Sequence, residues 1–203
     1  MTVTIFGLTR HSETEWNRRR LIQGQLDSPL TAQGARRAEA WGKILAPLGW
    51  DRLASSDLGR AVSTARLVNG ALGLPLESDP RFREQDWGDW TGKSWDELKT
   101  GFKEELDAMD AAVWAGGPPG GETREQVRAR AEAALLDLGR AHPGERILLI
   151  IHKSVIKYLV YKLWREKAPG APTPKLLSRG LHLLALDDSA GFILKQINAL
   201  PLP

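Results

Sequence analysis

The chain has no cysteine, which excludes a disulfide framework and any thiolate metal site. It also lacks an apolar run approaching the length of a membrane span. Its first residues carry no basic stretch followed by an apolar core and cleavage site, so the expectation is a cytoplasmic protein without a leader. A large excess of one charge is missing too, since 28 Lys and Arg against 25 Asp and Glu leave only +3. The densest basic run, Arg18-Arg19-Arg20, has no interleaved aromatic ring. It reads either as a solvated loop or as a rim that steers anionic substrates. A nucleic-acid partner needs a broader basic face with stacking aromatics, and is not expected. Neither is a membrane partner. What is present is an ordinary globular composition, 42% hydrophobic and 26% charged over 203 residues, enough for one domain with a full core.

Patterning along the chain alternates strands and helices. Thr2 to Thr9 is β-branched and aromatic, as a strand should be. Thr31 is placed to cap a helix running to about Leu48, with Ala38, Trp41, Leu45 and Leu48 on its inward face. A strand near Arg52-Leu53-Ala54 precedes a helix from Gly59 to Leu72, which Gly73 and Pro75 stop. The longest helix spans Glu122 to about His142, with Val127, Ala131, Leu135 and Leu138 as its stripe. Arg146 to Ile151 is a nearly continuous apolar run, the mark of a central parallel strand covered on both faces. A helix capped by Ser154 and running to about Trp164 follows, then a closing hairpin of Leu181–Leu186 and Phe192–Ile197. Together these predict an α/β fold: a doubly wound, mostly parallel sheet flanked by helices, with an antiparallel edge. The loops at 116–121 and 168–174 separate no core-sized pieces, so a single domain over 1–203 is expected.

Chemistry gathers where strands end. The first strand runs into Arg10-His11, and an imidazole beside a guanidinium suits attack on phosphorus, with the cation holding the phosphoryl oxygens. A lone histidine there is also consistent with a structural hydrogen bond. Three further segments supply complementary groups. Ser55 to Ala65 places Arg60 near a helix N-terminus, behind turn residues whose N–H groups would be free for an anion. Arg81 to Trp90 offers Glu84 among aromatic rings, with Trp87 and Trp90 shielding it from water, although an ion pair with Arg81 or Arg83 is the plainer reading. The apolar run ends in His152. A set of this kind carries out phosphoryl transfer without a metal or other cofactor.

On these residues the chain resembles the histidine phosphatase superfamily, also called phosphoglycerate mutase-like. Its first marker, a strand leading to Arg-His-Gly-Glu-Thr-x-x-Asn, is similar to Arg10 to Asn17, with Ser12 in the glycine position. Gln23 to Thr31, Ser55 to Ala65, Glu84 with Gly88-Asp89-Trp90, Gly120-Gly121-Glu122-Thr123 and His152 resemble the later markers in order, over nearly the whole chain. The resemblance implies a phosphoglycerate mutase-like fold with a small helical cap at about 92–121. It implies His11 as nucleophile and Glu84 as general acid and base, with Arg10, Arg60 and His152 on the phosphoryl oxygens. Asn17, Gln23 and Gly24 are carried over as phosphate or substrate contacts.

Two residues depart from the pattern: Ser12 and Lys153 stand where the family has glycine, and Lys153 is expected to add a cation for a second negative group on the substrate, unless its stem carries the charge to solvent. Ser178-Arg179-Gly180 stands where the family has Asn-x-Ser near the last hairpin. His142 and His182 read as structural, and Trp16, Trp87 and Trp114 as the rings to look for near the pocket. The expected activity is a metal-independent phosphomonoesterase, of histidine acid phosphatase type, acting on a small-molecule substrate. The alternatives are a cofactor-dependent phosphoglycerate mutase and a catalytically silent phospho-ligand binder. Mutases of the family carry an Arg-Arg pair in the cap, and Gly92 to Gly121 holds no arginine. The sequence does not fix the oligomeric state, a homodimer being one option.

Overall fold

The computed structural model describes residues 2–203. β1 (Val3–Arg10) is buried from Phe6 to Thr9, which fits its unbroken apolar stretch. The single turn α1 (Glu15–Arg18) is closed by a capping box between Thr14 and Asn17, so the expected loop at Arg18 is partly helical. α2 (Ala32–Leu45) starts at the expected cap, where the Thr31 Oγ1 accepts the Gly34 N–H at 2.8 Å. Pro47 then tightens the chain into a 3₁₀ turn, Ala46–Leu48. The change of pitch leaves Leu48 37% exposed instead of on the inward face.

β2 (Arg52–Ser55) and α3 (Gly59–Leu72) follow as the pattern predicts, and Gly73 ends the helix at φ 65°. β3 (Leu76–Ser78) was not foreseen, because a strand this short carries no readable alternation. α4 (Trp95–Gly101) and α5 (Lys103–Ala111) lie within the stretch expected to form a cap. α6 (Arg124–Ala141) begins after Thr123, whose hydroxyl caps it, rather than at Glu122. β4 (Arg146–Ile151) is the apolar run. α7 (Lys153–Lys167) begins directly after His152, so Ser154 lies inside its first turn and does not cap it. β5 (Gly180–Asp187) and β6 (Gly191–Pro201) form the antiparallel hairpin.

The sheet has six strands in the order β3-β2-β4-β1-β5-β6. β1 to β4 run parallel, and β5 returns antiparallel against β1. The architecture is the expected mixed α/β sheet flanked by helices. β4 explains its layering, because its side chains alternate between two cores. Ile147, Leu149 and Ile151 pack with Phe6, Leu8 and the buried stripes of α6 and α7. Leu148 and Ile150 pack with Trp41, Leu45 and Val68 of α2 and α3. A third cluster, built on Trp87, Trp90, Leu98 and Met109, belongs to the α4–α5 region.

Register sets the site. Arg10 pairs with Ile151 and Ser55 with Ile150, so β1, β2 and β4 finish at one edge of the sheet. The residues that follow them, His11, Ser56 and His152, therefore converge there, in the position where open α/β sheets bind ligands.

Candidate active site

His11 lies at the tip of β1, 4% exposed, and its Nδ1 is 2.7 Å from the Ser12 carbonyl oxygen. A carbonyl only accepts, so Nδ1 carries the proton and Nε2 keeps its lone pair. Burial, with Arg10 and Arg60 nearby, holds the His11 pKa well below the usual histidine value, and the ring is neutral near pH 7. His152 lies next to it, with ring centroids 5.2 Å apart. It is fully buried, and burial followed by Arg60, His11 and Arg10 lowers its pKa as well.

Ser12 fits its position without strain. Its N–H donates to Thr64 Oγ1 and its hydroxyl to the Gly34 carbonyl, tying the turn after His11 to both α3 and α2. Gly34 is needed for this approach, since a Cβ there would stand 2.2 Å from the Glu13 carbonyl oxygen.

Arg60 is held almost as firmly. Its Nη1 donates to the Leu26 carbonyl and to Asp27, and its Nη2 to the Gly24 carbonyl at 2.7 Å. The Asp27 carboxylate also accepts the Gly59 and Arg60 N–H groups. It thereby caps α3 from a distant loop. The Ser56 N–H goes to the Ile150 carbonyl and the Leu58 N–H to the Ser56 hydroxyl, while the Asp57 carboxylate pairs with Arg83. Gly24 adopts φ 53°, and its carbonyl orients Arg60.

Glu84 is 9% exposed. Its Oε1 accepts the Gln85 N–H at 2.8 Å, and its Oε2 is 3.5 Å from the Ser154 N–H in the first turn of α7. It forms no ion pair with Arg81 or Arg83, which bind Asp79, Asp137 and Asp57 instead. The backbone beneath it is clamped by Arg130. All the N–H groups of that guanidinium are used: two on Glu122, the rest on the Arg81, Arg83 and Glu84 carbonyls. Sequence reasoning missed Arg130 and Asp27, because their roles depend on contacts 46 and 33 residues away along the chain.

These groups line a cavity of about 420 Å³ containing Arg10, His11, Asn17, Gln23, Gly24, Arg60, Glu84 and Lys153. His152 lies beneath this lining. Asn17 accepts the Thr14 N–H through Oδ1, which leaves its amide N–H groups as donors. Several buried polar atoms here have no protein partner: Arg10 Nε, Arg60 Nε, Gln23 Oε1 and both His152 nitrogens. Unpaired buried polar groups are costly, and their concentration around one cavity marks a polar ligand site. Trp87 lines the cavity as expected. Trp90 is fully buried in the cap cluster, Trp114 packs on Tyr158, and Trp16 lies outside the lining. Trp95, which the sequence did not single out, takes their place, 43% exposed and edge-on to Trp87 at 5.4 Å.

Fold and site together define an α/β protein with a histidine pair and two arginines at an arginine-lined cavity on the carboxyl edge of its sheet. Its family follows from comparison: the chain belongs to the histidine phosphatase superfamily (branch 1), whose model matches residues 6–198. The Enterobacter sp. (strain 638) protein named probable phosphoglycerate mutase GpmB is 37% identical over 153 residues, covering 75% of this chain and 71% of the relative. Among solved structures, Bacillus stearothermophilus YhfR is 32% identical, with a TM-score of 0.80 and coverage of 94% and 95% of the two chains. The mycobacterial glucosyl-3-phosphoglycerate phosphatase Rv2419c, in complex with VO3, is 29% identical with a TM-score of 0.80, covering 98% of this chain and all of that one. Relatives thus include both phosphatases and mutases. Among the described residues, no helix is long and apolar enough to cross a membrane.

Proposed function

We propose that this protein is a phosphomonoester hydrolase that works through a phosphohistidine on His11, without a metal ion. The observation that carries this reading is the His11 ring itself. It is neutral, its far nitrogen is tied to the Ser12 carbonyl, and it lines a cavity with Arg10 and Arg60. The His11 Nε2 lone pair attacks phosphorus, and the bond to the ester oxygen breaks. Glu84 acts as the general acid that gives a proton to the departing oxygen. Water then attacks phosphorus and leaves its proton on Glu84, the P–N bond breaks, and phosphate departs with His11 restored.

Arg10 and Arg60 hold the equatorial oxygens, where charge accumulates in the transition state, and the unpartnered His152 ring and the Asn17 amide add donors. Gln23 and Lys153 meet the rest of a small-molecule substrate, which the protein meets in the cytoplasm, with no nucleic acid or membrane as partner. Gly24 acts through Arg60.

The runner-up is phosphoglycerate mutase, favoured by the names of the sequence relatives. Hydrolysis is preferred because the segment Gly92 to Gly121 carries no arginine to retain a phosphoglycerate while the phosphoryl group is returned. A panel of phosphomonoesters, assayed with and without chelator, separates the readings. Phosphate release that survives chelation, with acid-labile label trapped on His11 by rapid quench, is expected. Isomerisation of phosphoglycerate without net release would establish the mutase instead, and binding without turnover a silent receptor.

A further inference from the structure

A second cavity adjoins the catalytic one and is not used by the chemistry above. It measures about 230 Å³, lies between α7 and the segment leading into β5, and shares Arg10 and Lys153 with the catalytic cavity. Its walls are apolar, from Ile156, Tyr161, Leu176 and Leu177. Lys153, Lys157 and Lys175 stand around it, and none of them forms an ion pair among the described residues. Its lining also includes His182, which is 1% exposed.

Three features show that this cavity is built. The His182 Nδ1 accepts the Asn198 N–H at 3.2 Å, so the ring proton is on Nε2, and no protein acceptor among the described residues takes it. Asn198 adopts φ 52°, at a point where the β5–β6 register is irregular. Asparagine tolerates that conformation, and bulges of this kind re-aim groups beside active sites. The Asn198 side chain also fixes the wall, accepting the Leu177 N–H at 2.9 Å and donating to the Lys175 carbonyl at 2.9 Å. One residue therefore sets the His182 tautomer and holds the segment that carries Lys175. The field is crowded with positive charge: partial burial, then Arg124 and Lys153, lower the Lys157 pKa. The one carboxylate acting on it, Asp110, already pairs with Arg124.

We propose that this side cavity binds the anionic tail of the substrate's leaving group: an apolar spacer along Ile156, Tyr161 and Leu176, ending in a carboxylate or second phosphate met by Lys157, Lys175 and the His182 N–H. The proposal rests on the phosphohydrolase reading and names the class of alcohol released. Lys153, at the junction of both cavities, neutralises the substrate where it crosses from one to the other.

The test is a series of ω-carboxyalkyl phosphates of increasing length, matched n-alkyl phosphates, matched alkyl bisphosphates, and phenyl phosphate. Wild-type enzyme should prefer a dianionic ester over its alkyl match, with an optimum at one length. Lys157→Ala combined with Lys175→Ala should erase roughly tenfold of that preference, as expected for two exposed charge contacts, while phenyl phosphate is hydrolysed unchanged. Preference for bisphosphates alone would identify the tail as phosphate, and preference for carboxylates alone as carboxylate. An independent readout needs no turnover: the His182 ring resonance should shift on adding ω-hydroxy carboxylates of four to eight carbons. If phenyl phosphate is hydrolysed but no length optimum and no His182 shift appear, the side cavity is not a subsite. If no ester is hydrolysed yet His182 responds, the subsite stands and the hydrolase reading fails.

Discussion

The floor and the outer wall of the cavity that holds His11 are built by different means. The floor consists of strand ends and helix starts. Arg60 and His152 are essentially inaccessible there, and neighbouring backbone groups hold His11 and Arg60 in place. The wall comes from α4, with Trp95 43% exposed and Lys99 beside it. Polar contacts in the α4–α5 region are mostly local and solvent-facing, such as the Lys103–Asp107 pair, and pairs of that kind contribute little. The floor is organised before a ligand arrives, whereas the wall offers surface. On the proposed reading the phosphoryl chemistry belongs to the floor, and the wall adds contacts to the substrate beside those of the side cavity.

Substitutions can break that contrast. His11→Ala should give the largest effect, a loss of roughly 10⁴-fold or more in kcat. The thermal transition should be nearly unchanged, because the residue carries chemistry rather than core volume. Persisting turnover in the variant would remove the covalent mechanism. Glu84→Gln should slow esters with basic leaving groups by on the order of 10²–10⁴-fold and aryl phosphates much less. Equal losses for both would make Glu84 a binding residue.

Acid should probe the buried groups beside the cavity in a third way. Burial lowers the His182 pKa from 6.5 to about 4, so the unfolded chain takes up a proton that the folded one refuses. Stability is therefore complete above pH 6.5 and falls as the pH drops towards 4, by up to about 3 kcal/mol for this residue, while His11 and His152 act in the same direction. His182→Gln should flatten the decline in melting temperature over that interval, and an unaltered slope would contradict the burial argument. The smallest effect belongs to the wall. Trp95→Ala should raise KM for bulky leaving groups by less than about tenfold and leave kcat nearly constant. A large fall in kcat would place Trp95 with the floor.

The contrast also explains what could be read from the sequence. Arg10, His11, Arg60 and His152 were legible because each lies at the end of a strand or the start of a helix, Glu84 because it stands among tryptophans in a family marker, and β4 announced itself by its apolar run. The mostly parallel sheet with its antiparallel edge follows from the alternation of elements, but the strand order does not, and neither does β3, which is too short to carry a period. Asp27 stayed hidden because it caps a helix more than thirty residues further on, and Arg130 because it resembles any polar position of a surface helix. Ser12 looked like a departure from glycine and is accommodated by Gly34 and Thr64, neither of which has a sequence signal for that task. Trp95 could not be told from the other tryptophans, since exposure at a cavity rim is a tertiary property.

Arg130 acts as a cross-link in a chain that has no cysteine. Its guanidinium joins Arg81, Arg83 and Glu84 on one strand of chain to Glu122 on another, and the α4–α5 region lies entirely between them. The loop is thus pinned at its neck. Local unfolding of α4 and α5 can proceed as a separate cooperative unit while the neck stays closed. Amide exchange in α4 and α5 is therefore expected to run ahead of exchange around Glu84, and on the proposed reading breathing of this cap leaves the geometry of proton transfer in place.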